Sequence, residues 1–446
     1  MFKTLVNAFK IKDVRIKLLY TLIAVLIVRI GCVLPVPGIN RAYFASWLET
    51  VTEAGGLGFL DVLTGGSFTQ MSIFALNISP YITSSIIMQL LTIAIPKLEE
   101  MQKDGETGRK KIAEITRYVT IGLALFESVA MGIGFKNNGI LEGSNAFLTI
   151  CVIAASFTAG SAFLMWLGEQ ITEKGIGNGI SVILLINIVA NLPRDYMNLF
   201  ETFIKSKPVV KAIIAAVVII AVSVVLVVLI ILLESAQRRI SVQYAKKMQG
   251  RRMVGGQSSF IPLKINTAGV IPVIFAVSIL QTPIIISSLF GVGANRYGNV
   301  WERLLMYMNQ QNWCCFRTEG YAKYTIGLIF YILMLYFFAY FYTGITFNPI
   351  EVSNNLKKQG GFVPGIRPGR PTSDYLTKVL NYVILIGATG LGIIAIIPIF
   401  FTGMFSARVS FGGTSIIIIV GVILEMVRQV ETMMRERHYK GFLSED

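Results

Sequence analysis

The side chains able to do chemistry in this chain are few and scattered. Its six aspartates, Asp13, Asp61, Asp104, Asp195, Asp374 and Asp446, stand far apart, whereas transferases acting on lipid-linked substrates commonly hold a divalent metal with closely spaced acidic residues. One histidine, His438, and four cysteines, Cys32, Cys151, Cys314 and Cys315, form no cluster of the kind that binds zinc. The adjacent Cys314-Cys315 pair is unsuited to bridging itself. No GxxxxGK[ST], GxSxG or HExxH motif occurs. The glycine-dense GIGNG at 175–179 is too short for a nucleotide site and reads as a tight turn, its glycines allowing positive φ and close helix approach. No metal and no cofactor is expected, and an enzyme is disfavoured.

What must position any function here is a set of membrane helices. Ten apolar stretches lie at 17–35, 71–95, 118–135, 146–168, 176–192, 209–233, 267–289, 324–344, 379–401 and 411–430. A helix needs roughly 20 such residues to cross a bilayer core of about 30 Å. Hydrophobic residues make up 54% of the chain and charged ones 15%, with a mean hydropathy of +0.65. The fold class expected is an all-α integral membrane protein with ten spans. Only Arg29 and Glu127 place charge near mid-span. Ion-binding or acid–base machines normally show buried ionisable groups there, so the working surface is apolar and weakly polar.

Alternating sides with the N-terminus inside puts 28 of the 40 lysines and arginines in inside segments and ten outside, with Arg29 and Arg408 within or beside spans. That asymmetry predicts cytoplasmic termini. The start of the chain reads as a short basic amphipathic stretch, with Phe2, Leu5, Val6 and Phe9 on one face and no small-residue cleavage site after it. The spans divide five and five: a first half at 1–190, an external hinge at 191–208 with Pro193 and Pro208, a second half at 209–430, and a cytosolic tail at 431–446. An odd number of spans per half inverts the second half, the layout of folds with a pathway at a pseudo-two-fold axis in the membrane plane.

Some segments break this pattern. GGLGFLDVLTGGS at 55–67 is too short to cross, and either lies at the interface or re-enters between helices. Two inside loops, 235–266 and 345–378, carry charge away from the membrane ends: Arg238, Arg239, Lys246, Lys247, Arg251 and Arg252 in one, Lys357, Lys358, Arg367 and Arg370 in the other. They read either as docking surfaces or as solvated positive-inside loops. Spans two and seven mix polar residues with isoleucine. Asn77, Thr83, Ser84 and Gln89 lie in the first, which Pro80 interrupts; Ser278, Gln281 and Thr282 lie in the second, with Pro272 and Pro283. Prolines free backbone carbonyls that must find partners. Neutral polar groups contribute only about 1 kcal/mol each across a helix interface, so these residues serve either as ordinary packing or as an interface that opens.

Five stretches, ALNISPYITSSIIMQLLT (75–92), ITEKGIGNGIS (171–181), KINTAGVIPVIFA (264–276), GGFVPGIRPGRPT (360–372) and FGGTSIIIIVGV (411–422), together resemble the SecY family. Members of that family form the channel of the general protein-secretion translocase. The resemblance runs through essentially the whole chain, in order.

It implies two inverted halves around an hourglass pore, closed at mid-membrane by aliphatic side chains that fall on Ile78, Ile82, Leu184, Ile188, Ile274 and Ile418. Such a ring dewets and excludes ions, yet imposes no fixed hydrogen bonds on a passing chain. The resemblance makes 55–67 a plug, its glycine pairs hinges and Leu57, Phe59, Leu60 and Leu63 its packing face. It makes spans two and seven, with three and eight beside them, a lateral gate through which signal sequences and nascent membrane helices reach lipid. The two inside loops become docking arms for the ribosome and the SecA motor, with Arg367 on the arginine that couples the motor. Lysine and arginine suit ribosomal RNA because phosphate contact needs no base sequence. SecE and SecG as small membrane partners, and a bacterial plasma membrane as the location, are implied in the same way.

The expected function is therefore a passive protein-conducting channel. The competing expectation is an ion-coupled secondary transporter, for which inverted repeats and broken helices are equally typical. Asn77, where the family more often has glycine, and Phe260, where it often has histidine, depart from the pattern, and Glu127 and Cys314-Cys315 fall outside it. A carboxyl at Glu127 must be neutralised, paired or facing water.

Overall fold

Each of the ten apolar stretches contains a helix in the computed structural model, which describes residues 9, 11–53, 64–142, 145–201, 205, 209–244, 247–249, 252–254, 258–289, 299–308, 326–405 and 413–440. The first half runs α1 (Lys12–Gly31), α2 (Arg41–Glu53), α3 (Ser79–Ala94), α4 (Pro96–Lys103), α5 (Glu106–Asn137), α6 (Ala146–Lys174) and α7 (Gly179–Phe200). The second opens with α8 (Val209–Ser235) and the strands β1 (Gln237–Tyr244), β2 (Lys247–Gln249), β3 (Arg252–Val254) and β4 (Ser258–Lys264). It continues with α9 (Ile271–Leu289), α10 (Val300–Met308), α11 (Ile326–Thr346), α12 (Pro349–Lys358), β5 (Gly361–Phe362), α13 (Arg370–Phe405) and α14 (Gly413–Lys440).

Among the described residues, five helices taken singly are long and apolar enough to cross a bilayer: Glu106–Asn137, Ala146–Lys174, Ala216–Ser235, Ile326–Lys358 and Arg370–Phe400. A sixth is reached if Ser79–Ala94 and Pro96–Gln102, bent by 104°, form one span. Gly179–Arg194 and Ile271–Ile284 are shorter apolar stretches of helix, each containing a proline, Pro193 and Pro283, that forgoes one helical hydrogen bond. The outer face of α8 exposes Ile213, Ile214, Val217, Ile220, Val224 and Val225. In water such a patch drives aggregation; in lipid it is satisfied. The chain is a multi-pass membrane protein.

Within the first half α5 packs on α3 and α6, α6 on α7, and α1 on both α6 and α7. Within the second α8 packs on α13 and α14, α9 on α11, and α11 on α13. Among the described residues the halves meet chiefly along two seams: α7 against α14, and α9 against both α3 and α5. One apolar cluster pools side chains from α1, α3, α6 and α7 with others from α8, α9, α11, α13 and α14. A smaller cluster around Phe44, Phe68, Phe135 and Phe157 lies within the first half.

The structure corrects several expectations. Span two does not begin as a helix at 71. Residues 64–78 are irregular, with Met71 at φ 48 and Asn77 at φ 52, and α3 starts only at Ser79. Pro80 therefore interrupts nothing: it stands in the first turn, where its missing N–H has no helical partner to lose. Helix α1 stops at Gly31 rather than running to 35, which puts Arg29 in its last turn instead of mid-helix. The expected hinge at 191–208 begins as helix, since α7 continues through Pro193 to Phe200. The tail is likewise helical as far as Lys440. The membrane part is all-α as expected, and the two inside loops add short strands to it. Three strands form a sheet in the order β4-β1-β5, and β2 pairs with β3. The alternation that marks a strand is present in β1, where Ile240 and Val242 point inward between exposed neighbours.

The GIGNG segment is the turn between α6 and α7. Gly177 adopts φ +85, which glycine tolerates without strain. Its N–H donates to Gln429 Oε1 of α14, the Ile176 N–H donates to Thr21 Oγ1 of α1 at 3.1 Å, and the Gly179 N–H donates to Thr172 Oγ1 at 2.8 Å. The first and last helices thus both hold this turn.

Candidate functional site

The six aliphatic residues expected at the pore all lie in or against one large apolar cluster. Ile78 caps the start of α3 and Ile82 follows one turn on; Leu184 and Ile188 are one turn apart on α7, a spacing that puts each pair on one helix face. Ile418 lies on α14 and Ile274 in the first turn of α9. Ile78, Ile188, Ile418 and Leu184 are 0–3% exposed and Ile82 is 8% exposed. All five belong to the large apolar cluster, and the half-buried Ile274 packs against it. Two helices of the first half and two of the second therefore contribute hydrocarbon side chains at these positions to a single cluster.

The polar residues of the expected gate lie on helices that face each other, but most bond inward. Thr83 Oγ1 donates to the Ser79 carbonyl at 3.0 Å, Ser84 Oγ to Pro80 at 2.8 Å, and Thr282 Oγ1 to Ser278 at 2.7 Å. Gln89 Nε2 reaches Ser85 Oγ at 3.3 Å on its own helix. The side-chain oxygens of Gln89 on α3 and Gln281 on α9 are buried without a hydrogen-bond partner. Because the hydroxyls are satisfied within their helices, the α3–α9 seam can part without orphaning them. Asn77 behaves differently: it precedes α3, and its Oδ1 accepts from Asn187 Nδ2 of α7 at 3.2 Å, a tie inside the first half.

Leu57, Phe59, Leu60 and Leu63 lie outside the described residues. The segment after them is buried, and Arg29 Nη1 donates to the Gly65 carbonyl there at 3.2 Å. Nothing in the sequence pairs Arg29 with Gly65, or Asn77 with Asn187. The available signal was a charge near mid-span and an asparagine among isoleucines.

The two basic loops form one body. β1 pairs antiparallel with β4 in the register Ile240↔Ile261, and β5 from the second loop adds to its other edge at Gln243↔Phe362. Ile240, Val242 and Leu263 share a small core with Leu356 and Val363 of the second loop and Leu376 of α13. Arg238 and Arg239 are exposed on β1, and the Arg239 guanidinium lies 4.9 Å over the Phe260 ring. Lys247 and Arg252 are on β2 and β3, while Lys246 and Arg251 lie outside the described residues. Lys357 and Lys358 occupy the last turn of α12, where cations suit the helix dipole. Arg367 is exposed, its carbonyl held by Thr372 Oγ1 at 2.8 Å, and Arg370 opens α13. Among the described residues no three His, Cys, Asp or Glu side chains are placed to share a metal ion. Glu127 is half-buried on α5 and nothing in this arrangement uses it.

Solved structures share this architecture. A SecY structure, described for a plug domain that stabilises the closed state of the translocation channel, aligns at TM-score 0.60 and 17% identity over 95% of this chain and 92% of that one. Sec61 in the canine ribosome–channel complex aligns at TM-score 0.58 and 17% identity over 95% and 92%. The yeast Ssh1 complex bound to the 80S ribosome contributes a chain matching at TM-score 0.58 and 15% identity over 92% and 87%. In sequence, the chain is 40% identical over 450 residues to the protein translocase subunit SecY of Halalkalibacterium halodurans, covering 99% of this chain and 100% of the relative. It is 41% identical over 466 residues to the same subunit of Streptomyces coelicolor, again over 99% and 100%. The SecY family model matches residues 72–427, a span that takes in the aliphatic cluster, the α3–α9 seam and both basic loops. With full-length relatives at this identity, the chain belongs to the SecY family.

Proposed function

We propose that this chain is a passive protein-conducting channel, letting unfolded preproteins cross a membrane and membrane helices leave sideways into lipid. The observation that carries the reading is the aliphatic cluster, to which both halves contribute and in which Ile78, Ile82, Leu184, Ile188 and Ile418 are at most 8% exposed. Hydrocarbon excludes ions by dewetting, and its dispersion contacts re-form around any side chain that passes. An ion-coupled transporter needs charged or carbonyl ligands at that place, and these six side chains are hydrocarbon.

The finer assignments follow from the same reading. The chain crosses ten times with both termini cytoplasmic, as the charge asymmetry favours. The α9 seam with α3 and α5 is the lateral gate, where the unpartnered oxygens of Gln89 and Gln281 offer acceptors to an entering segment. Residues 55–67 plug the pore. The joined basic loops dock the ribosome and the SecA motor, which supply the driving force; the fold's occurrence in ribosome-bound Sec61 and Ssh1 complexes supports the ribosome half of this. SecE and SecG complete the assembly in a bacterial plasma membrane. The test is site-specific photocrosslinking from Ile82, Ile188 and Ile274 to a stalled secretory chain. Capture at all three positions is expected, and capture at none removes the channel reading.

A further inference from the structure

An arginine among membrane helices is unfavourable unless the protein uses it, and the expected channel mechanism assigns nothing to Arg29. It stands in the last turn of α1, where the helix dipole favours a cation, and donates to the Gly65 carbonyl. Gly65 has φ +67, and a Cβ there would lie 2.8 Å from both Arg29 Nη1 and Asn187 Cα. Only glycine lets α1, this turn and α7 meet so closely.

Much of the rest of the 64–78 turn is hydrogen-bonded, as a buried irregular backbone requires, although the buried Ser72 hydroxyl has no partner. Ser67 Oγ lies 2.8 Å from the Thr64 carbonyl and 3.0 Å from that of Phe74. The Val36 N–H donates to Met71 O and the Ile73 N–H to Leu34 O, each at 3.0 Å, pinning the middle of the turn to the chain that follows α1. At its far end Asn77, 2% exposed, meets Asn187. Asn77 immediately precedes Ile78, and Asn187 lies between Leu184 and Ile188 on α7. The turn that delivers Ile78 is therefore fixed at one end by Arg29 and at the other by Asn187.

We propose that Arg29 is a positioning residue for the pore constriction: together with Asn187 it holds the 64–78 turn so that Ile78 and Ile82 stay in register with Leu184 and Ile188 in the resting channel. This rests on the reading of the six aliphatic residues as that constriction. The charged, multiply donating guanidinium suits the task, because bonds from ionised donors are stronger than neutral ones.

The experiment compares Arg29→Gln, Arg29→Lys, Asn187→Leu and Ile82→Asn in the complete channel complex reconstituted into vesicles. It reads resting halide permeability, and export of a preprotein with a defective signal beside an intact one. Arg29→Gln and Asn187→Leu should each raise resting permeability about tenfold, the effect of roughly 1.4 kcal/mol on a closed–open equilibrium. Both should pass the defective preprotein while the intact one is exported normally, and Arg29→Lys should restore most of the seal. Equal loss of export for both preproteins, with a tight resting state, marks a general folding role and overturns the proposal. So does a leaky Ile82→Asn beside tight, stringent Arg29→Gln. Where Arg29→Gln does not accumulate, Asn187→Leu decides in the same way. If Ile82→Asn is itself tight, the constriction reading fails and the proposal falls with it.

Discussion

Asn266 Nδ2 lies 2.6 Å from Glu234 Oε1, joining the turn before α9 to the last turn of α8. Both residues are buried, at 5% and 8% exposure. The same amide nitrogen reaches the Gly269 carbonyl at 3.0 Å, and Arg428 Nη2 of α14 donates to the Glu234 carbonyl at 2.9 Å. The foot of the first basic loop, the start of the gate helix and the last helix converge on one acidic residue.

Replacing Asn266 by leucine leaves that carboxylate buried without its donor. A hydrogen bond to a charged group contributes about 1.5–3 kcal/mol, so the thermal midpoint of the purified complex should fall by several degrees. Adding Glu234→Leu should recover part of the loss, because an apolar pair tolerates burial better than a lone charge. An unchanged midpoint for Asn266→Leu means that water already serves Glu234.

Ile82→Asn or Ile418→Asn puts an amide into the hydrocarbon cluster. Each should admit preproteins with weak signal sequences and leak small ions at rest, measured by export in cells and by conductance in planar bilayers. Unaltered stringency and conductance in both variants count against the constriction.

Arg367→Glu reverses charge on an exposed loop whose backbone is held through Thr372, so assembly should survive. SecA-driven export in inverted vesicles should drop severely while the amount of assembled channel stays constant. A normal export rate removes the coupling role.

Ribosome binding should weaken steeply as salt is added, since phosphate contacts release counterions. Neutralising Arg251 and Arg252 should lower affinity and reduce the salt slope by about 1 for each phosphate left without its arginine. A flat response to salt points to apolar docking.

How much of this was legible in the sequence varies with the physics involved. Crossing a bilayer imposes length and apolarity on a contiguous stretch, so a helix in each of the ten apolar stretches is readable, as is the placing of Leu184 and Ile188 on one face of α7. The 64–78 turn is not. Its residues are apolar enough to pass for helix, and what keeps them irregular is a set of bonds to α1 and α7, including Asn77 to Asn187, 110 residues apart. The part Pro80 plays is not legible either, because a proline's effect depends on whether it falls inside a helix or at its first turn. The sheet joining the two basic loops is hidden in the sequence for a similar reason. Charge dominates those loops, and the core of Ile240, Val242, Leu356 and Val363 exists only when segments about a hundred residues apart are brought together.

The grip of Gln429 on the Gly177 amide spans 252 residues, and that separation orders biogenesis. The α6–α7 turn leaves the ribosome long before the glutamine that will hold it is translated. The early half must therefore wait in the membrane with that junction unfinished, and only the arrival of the final helix locks it. Chains released before α14 should remain recognisable to quality-control proteases at this very turn, however complete their other helices are.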